Sequence, residues 1–361
     1  MNTEFWKNKK VLITGHTGFK GSWLSLWLAK EGAWVTGLGL EPPTSPNLFE
    51  LAQVSNCIED IRGEIRDFEW VQKVVEQTRP EIIFHLAAQP LVRESYRNPV
   101  ETFETNIMGT IHLLDAVRQV GGVRAIVNVT TDKCYENQEW NWGYRENDTL
   151  GGYDPYSSSK ACSELATMAY RNSFFHVDNY NNHGTAIATA RAGNVIGGGD
   201  FARERLVPDF IRAAIQKEKI IVRNPQAVRP WQHVLEPLNG YLMLAEKLYT
   251  HGIEYASAWN FGPRDEDIQT VEWIIKQLSS FWDEPITYQL EPQAHFHESN
   301  LLRLDCSKAR TQLGWKPKWE LQTALEKTIQ WVKAYTHSEN IQAVCMDQIH
   351  QYKHLGETEN G

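Results

Sequence analysis

The stretch that most constrains the fold is KKVLITGHTGFKGSWLSLWLAKEG, residues 9–32. A short apolar run ends in glycine, and glycine recurs at 15, 18 and 21. A run with helical spacing follows and closes on Gly32. An apolar run of this length bounded by glycine suits a buried strand, and a glycine just past a helical pattern is a stop signal. Four more segments read as strands: AWVTGLGL (33–40), EIIFHLAA (81–88), VRAIVNVTT (123–131) and TAIATARAGNVIG (185–197). Helical patterns lie before and between them. This rhythm predicts an α/β fold built on a doubly wound parallel sheet, with ligands at the carboxyl ends of the strands.

After about residue 195 the pattern breaks. GGGDFARERLVP (197–208) reads as a loop, and RNPQAVRPW (223–231), FGPRDED (261–267) and EPQAHFHESN (291–300) punctuate mixed segments. We expect a nucleotide-binding domain over 1–190 and a smaller mixed α/β, mainly substrate-binding domain over 191–335, with some segments returning to the first. Residues 336–361 read as a polar C-terminal tail, frayed at its end. The chain is 42% hydrophobic, enough for a sizeable core, and its net charge of −9 argues against nucleic acid and anionic membranes as partners. Five scattered cysteines show neither metal spacing nor a disulfide framework. No apolar run spans a bilayer and no signal core follows the first residues, so a cytoplasmic enzyme with reduced thiols and no metal is expected.

The glycines of the first turn have separate uses. Gly15 can make the tight turn, Gly18 can let backbone approach a phosphate, and Gly21 can let the helix pack closely on the sheet. The helix N-terminus then aims N–H groups at an anion. This points to a dinucleotide. His16 and Lys20 are unusual here. Lys20 opposes the macrodipole unless a pyrophosphate is its neighbour, a solvated lysine being the bland alternative. His16 adds bulk where backbone should approach the cofactor, so loosely held NAD is expected. The slot ending the second strand is Gly39, and the nearest acid is Glu41, which could equally be a solvated loop residue. With no arginine nearby in sequence for a 2′-phosphate, NAD is favoured over NADP.

YDPYSSSK (153–160) places Tyr156 and Lys160 four apart on one helical face. A nearby ammonium lowers a phenol's pKa, which suits Tyr156 to act as a base. The preceding strand ends in Thr131, Asp132 and Lys133, at the same sheet edge.

These motifs, with HLAAQ (85–89), TNIMGT (105–110) and ARAGN (190–194), resemble the extended short-chain dehydrogenase/reductase family, the NAD-dependent epimerases and dehydratases. The resemblance runs to about LGWKPKW (313–319) and implies a Rossmann fold. It implies NAD held by Gly15, His16, Thr17, Gly18, Phe19, Lys20, Gly21, Glu64, Ile65, Leu86, Ala87 and Ala88, with Tyr156 and Lys160 at the nicotinamide. TTDK (130–133) resembles the Thr-Asp-Glu motif of nucleotide-sugar 4,6-dehydratases. GHTGFKGSWL, EPPTSPNLFE and TTDKCYEN together resemble the branch that takes CDP-glucose and feeds 3,6-dideoxyhexose synthesis for the O-antigen of lipopolysaccharide. That implies Tyr156 as base at the C4 hydroxyl, Thr131 on the C4 oxygen, Lys160 on the ribose and Asp132 as acid to the C6 hydroxyl. Lys133 stands where relatives carry a glutamate that removes the C5 proton. It is then the base itself, a charged stabiliser of the enolate, or merely a partner of Asp132. Ser95, Asn194, Arg229 and Asn260 are implied for the substrate. Helices around 98–120 and 155–174 form a dimer interface in relatives, so a homodimer or larger oligomer is expected. Another nucleotide-sugar 4,6-dehydratase, a 4-epimerase and an inactive NAD-binding regulator are the alternatives. An epimerase needs no acid such as Asp132, and a regulator needs none of the catalytic set.

Overall fold

The computed structural model describes residues 3–283, 286–290 and 301–355. The segment 291–300, read above as punctuation, and the frayed end at 356–361 lie outside the described residues. The chain begins its sheet with β1 (Lys10–Thr14), α1 (Phe19–Lys30), β2 (Trp34–Gly39) and β3 (Glu59–Arg62). It continues through α2 (Phe68–Thr78), β4 (Ile82–His85), α3 (Gly109–Val120), β5 (Ala125–Val129), α4 (Pro155–Ser173) and β6 (Ala186–Ala192). Then come α5 (Leu206–Gln216), α6 (Leu235–His251), β7 (Ala258–Phe261), α7 (Leu321–Thr336) and α8 (Ile341–His354). The seven strands form one parallel sheet in the order β7-β6-β5-β4-β1-β2-β3. The order reverses between β1 and β4, and such a switch point opens a crevice at the carboxyl edge.

Period-two alternation assigns the two faces. Val11, Ile13, Ile82, Phe84, Ala125 and Val127 pack into one core with α1, α6 and α7, while Leu12, Ile83, Ile126 and Ile187 pack into another with α2 and α3. On the second face the last row of the sheet is polar: Thr14, His85, Asn128 and Thr189 are register neighbours. Their side chains are paired. Thr14 meets His85 Nδ1 at 2.7 Å, His85 Nε2 meets Thr110 at 3.1 Å, Asn128 donates to Thr167 at 2.8 Å, and Thr189 donates to Glu164 at 2.7 Å. Because these groups are buried, pairing is what makes their position tolerable.

Two strands escaped the sequence reading. β3, Glu-Asp-Ile-Arg, is a charged and half-exposed edge, and β7 joins the sheet only after the long excursion through residues 193–257. The expected polar tail at 336–361 is corrected: α8 buries Ile341, Cys345, Gln348, Ile349 and Tyr352 against α1 and α7. Gln348 spends its amide N–H on Lys327 O at 2.9 Å, and Tyr352 donates to the buried Glu236 at 2.6 Å, so polar letters hide a buried face. Since β7 returns to the sheet, we propose the division near residue 190 as one of binding roles within one packed body.

Among the described residues, no helix is long and apolar enough to cross a membrane. No cluster of histidine, cysteine and carboxylate side chains there could hold a metal ion.

Candidate active site

A cleft of about 1520 Å³ runs along the carboxyl edge, from Gly15, Thr17 and Gly18 past Leu86–Ala88 to Thr131, Tyr156 and Lys160, and on to Asn194 and Arg229. Its floor is set by close backbone approach. Gly15 has φ +76°, and a methyl group on it would stand 2.7 Å from Ala87 N; one on Gly21 would stand 2.2 Å from Gly15 O. Neither position admits a side chain. Gly18 caps α1 without a side-chain acceptor, which leaves the first helical N–H groups facing the cleft. Bare N–H groups beside a strand switch point fit a dinucleotide pyrophosphate, so the residues present suit NAD.

His16 does not crowd this floor, contrary to the expectation above. Its side chain turns under β2, where a methyl on Gly37 would stand 2.3 Å from the ring, and the neutral imidazole donates from Nε2 to Asp60 at 2.7 Å. Burial pushes its pKa down against the pull of Asp60. Gly37 and Gly39 of AWVTGLGL thus leave the space this ring fills. Replacing His16 with glycine is expected to cost stability, about 2–4 kcal/mol for a cavity plus a lost hydrogen bond. A thermal melt unchanged from the parent would refute that account.

The adenosine end also differs from expectation. An arginine does stand there: Arg62, register partner of Gly39, reaches Glu41 at 3.5 Å, Asp60 at 2.9 Å and Leu40 O at 2.8 Å. It comes from β3, far from Glu41 in sequence, which is why local reading missed it. Its guanidinium is already committed to two acids, and Glu41, on the cleft wall, is steadied by it. Glu64 and Ile65 also line this end, Glu64 pairing with Arg66 at 2.8 Å.

The catalytic candidates converge. Asp154 caps α4 by accepting from Ser157 N at 2.9 Å, with Pro155 in the first turn, and this sets Tyr156 and Lys160 on the cleft side. Lys160 donates to Val129 O at 3.1 Å, and burial lowers its pKa to about 8. Burial raises the Tyr156 pKa to about 12, against the lowering pull of its hydrogen bond to Thr131 and of Arg205; the lowering expected from Lys160 is not among the influences on the phenol. A cationic nicotinamide beside the phenol would act the other way. Thr131 caps the short turn Asp132–Cys134 and donates to Asp132 Oδ1 at 3.1 Å. Lys133 lines the cleft next to Asp132, and among the described residues no ion pair joins the two. Lys20 lies nearer the chemistry than a pyrophosphate ligand need be. Burial, helped by Arg205, lowers its pKa to about 8, while Asp132 and Asp200 oppose that shift.

On the substrate side the outcome is mixed. Asn194, held at φ +43°, and the buried Arg229 line the cleft. Asn260 does not. It is fully buried behind the sheet edge, donating to Tyr144 O at 2.9 Å and Asp305 O at 3.2 Å and accepting from Tyr135 at 2.7 Å. Ser95 is also fully buried and donates to Val92 O at 2.6 Å, facing away from the cleft. Motif position carried both residues over, but their hydrogen bonds are spent on structure. In their place the cleft receives Arg93, Arg97 and Arg205, the last paired with Asp200 at 2.9 Å. These lie in segments whose mixed charge reads as ordinary surface.

The model of the GDP-mannose 4,6-dehydratase family matches residues 12–328. CDP-glucose 4,6-dehydratase of Salmonella typhimurium is 52% identical over 352 residues, covering 98% of both chains. Among solved structures, UDP-glucose 4-epimerase of Stenotrophomonas maltophila with bound NAD superposes with a TM-score of 0.80 at 20% identity, over 92% of this chain and all of that one. dTDP-glucose 4,6-dehydratase of Bacillus anthracis in complex with NAD gives 0.75 at 20% identity, over 92% and 99%. These two likenesses bear on the fold.

Proposed function

The chain belongs to the GDP-mannose 4,6-dehydratase family, and on that premise we propose that it removes water from CDP-glucose to give CDP-4-dehydro-6-deoxyglucose. It is an NAD-dependent nucleotide-sugar 4,6-dehydratase, a hydro-lyase. The observation that carries the reading is the meeting, in one cleft, of the Thr131–Asp132–Lys133 turn with the Tyr156–Lys160 pair. An epimerase needs only the second of these.

The glycine turn and Lys160 would hold NAD, which would supply a hydride acceptor for C4 and a hydride donor for C6. Tyr156 takes the C4 hydroxyl proton, and Thr131, bonded to the same phenol, supports the C4 oxygen. Lys160 holds the cofactor ribose from its place on Val129 O. The C4 ketone acidifies C5–H, and Lys133 removes that proton. Asp132, one residue away, gives its proton to the departing C6 hydroxyl. Asn194 and Arg229 bind the sugar nucleotide, the planar guanidinium suiting two diphosphate oxygens. A homodimer is part of the proposal. Its support is the exposed Val100, Phe103, Met108, Leu165 and Met168 on the segments around α3 and α4, and a monomer in light scattering would remove it.

The deciding experiment incubates the protein and NAD with CDP-, dTDP-, GDP- and UDP-glucose and weighs the products. A product lighter by one water from the CDP sugar alone is expected. A product of unchanged mass, the C4 epimer, would overturn the reading.

A further inference from the structure

We infer that a fixed water sits behind the catalytic acid, held by Tyr241 and Gln232, and that these two are positioning residues for Asp132. Three buried oxygens carry the inference. Asp132 Oδ2, Gln232 Oε1 and Tyr241 Oη have no hydrogen-bond partner among the described residues. Their side chains are 1%, 3% and 0% exposed, so bulk solvent does not serve them. A buried polar atom left without a partner is costly, and natural proteins seldom tolerate three together.

The three side chains share neighbours, Gly193 and Phe261, at the carboxyl ends of β6 and β7. Asp132 Oδ2 lies against Gly193, closely enough that a methyl group there would stand 1.8 Å from it. The Gln232 amide donates to Gly193 O at 3.4 Å and to Phe261 O at 2.7 Å, which fixes Nε2 on those carbonyls and turns Oε1 the other way. Tyr241 comes from α6, which packs beneath β5, β6 and β7, and its ring meets Phe261 edge-on at 5.7 Å. Its phenol lies within electrostatic reach of both Asp132 and Tyr156.

The donors and acceptors match one water molecule. A water has two protons to give and can accept from a hydroxyl. It would donate to Asp132 Oδ2 and Gln232 Oε1 and accept from Tyr241, making the three bonds that a buried water typically makes. The consequence is for the acid. With Thr131 donating to Oδ1 at 3.1 Å and the water to Oδ2, the carboxyl is held at both oxygens and cannot rotate away from the C6 hydroxyl. The same bonds stabilise the carboxylate left after the proton has gone to the C6 hydroxyl.

The inference rests on the dehydratase reading. Tyr241→Phe keeps the ring and removes only the hydroxyl. In single turnover, C4 oxidation is expected to keep its parental rate while elimination slows about tenfold, one hydrogen bond's worth. Cofactor binding and the thermal melt should match the parent. A purely structural tyrosine predicts instead that elimination is untouched. Elimination at the parental rate would overturn the proposal. A high-resolution crystal structure of the unaltered holoenzyme decides independently, even if the variant does not fold. Density for a water bonded to all three oxygens supports the site, and its absence refutes it. Failure of the dehydratase reading looks different, since the unaltered enzyme would then yield no product lighter by one water.

Discussion

Tyr156→Phe is expected to lower turnover of CDP-glucose by at least about a hundredfold, the usual minimum for losing a positioned acid–base group. The structure explains why nothing replaces the phenol. Lys160, its nearest functional neighbour on α4, is occupied on Val129 O. Thr131 is no base, and Asp132 is bonded to Thr131. The ring itself is buried, and phenylalanine fills the same space, so the fold should persist. Single-turnover formation of reduced cofactor measures the loss, and circular dichroism melts check the fold. A variant retaining more than about a tenth of parental turnover would remove Tyr156 from the role, since acid–base groups contribute more than that.

The second large effect concerns the C5 proton. Lys133→Met, tested with NAD and CDP-glucose in deuterated water, is expected to leave C4 oxidation in place and abolish C5 deuterium uptake and elimination. The overall loss should again be about a hundredfold or more. Lys133 lines the cleft beside the acid that serves C6, and no ion pair ties it to Asp132 among the described residues. A lysine that acts as a base delivers its nitrogen lone pair to the proton, so the test is whether C5 exchange needs that nitrogen. Normal C5 exchange in the variant would rule the role out. Loss of even the first oxidation would instead make Lys133 a group that positions the sugar or stabilises the enolate.

What could be read beforehand followed from chemistry local in sequence. The first strand, its glycines and α1 are contiguous, and so are Tyr156 and Lys160 one helical turn apart. Backbone sterics at Gly15 and Gly21 act over a handful of residues, and a period of two or 3.6 is visible in any short window. The features that escaped depend on what arrives from elsewhere. Nothing in GHTGFKG says that Gly37 and Gly39 leave a hole for an imidazole, or that Asp60 waits at its far side. Asn260 sits in a segment that resembles a substrate loop, but Tyr135, Tyr144 and Asp305 take up its side chain. β3 was hidden by charge, because an edge strand can expose Glu59 and Arg62 without penalty. α8 was hidden because its buried face uses Gln348 and Tyr352 beside only a few aliphatic residues.

The seat of α8 has a further consequence, for the order in which the chain can mature. α1 is made early, yet its outer face is closed by residues synthesised hundreds of positions later. Lys30 Nζ donates to Met346 O across 316 residues of sequence, and Trp27 meets Tyr352 edge-on at 5.7 Å. Until that segment leaves the ribosome, Trp27 and its neighbours present an apolar flank with nothing to cover it. Loop closure over such a span is slow compared with local helix formation, and an uncovered flank invites aggregation. The nucleotide-binding half is therefore expected to reach its final packing only once β7, α6, α7 and α8 have all been made. Pulse-labelled hydrogen exchange during refolding should find α1 and α8 gaining protection in the same kinetic phase.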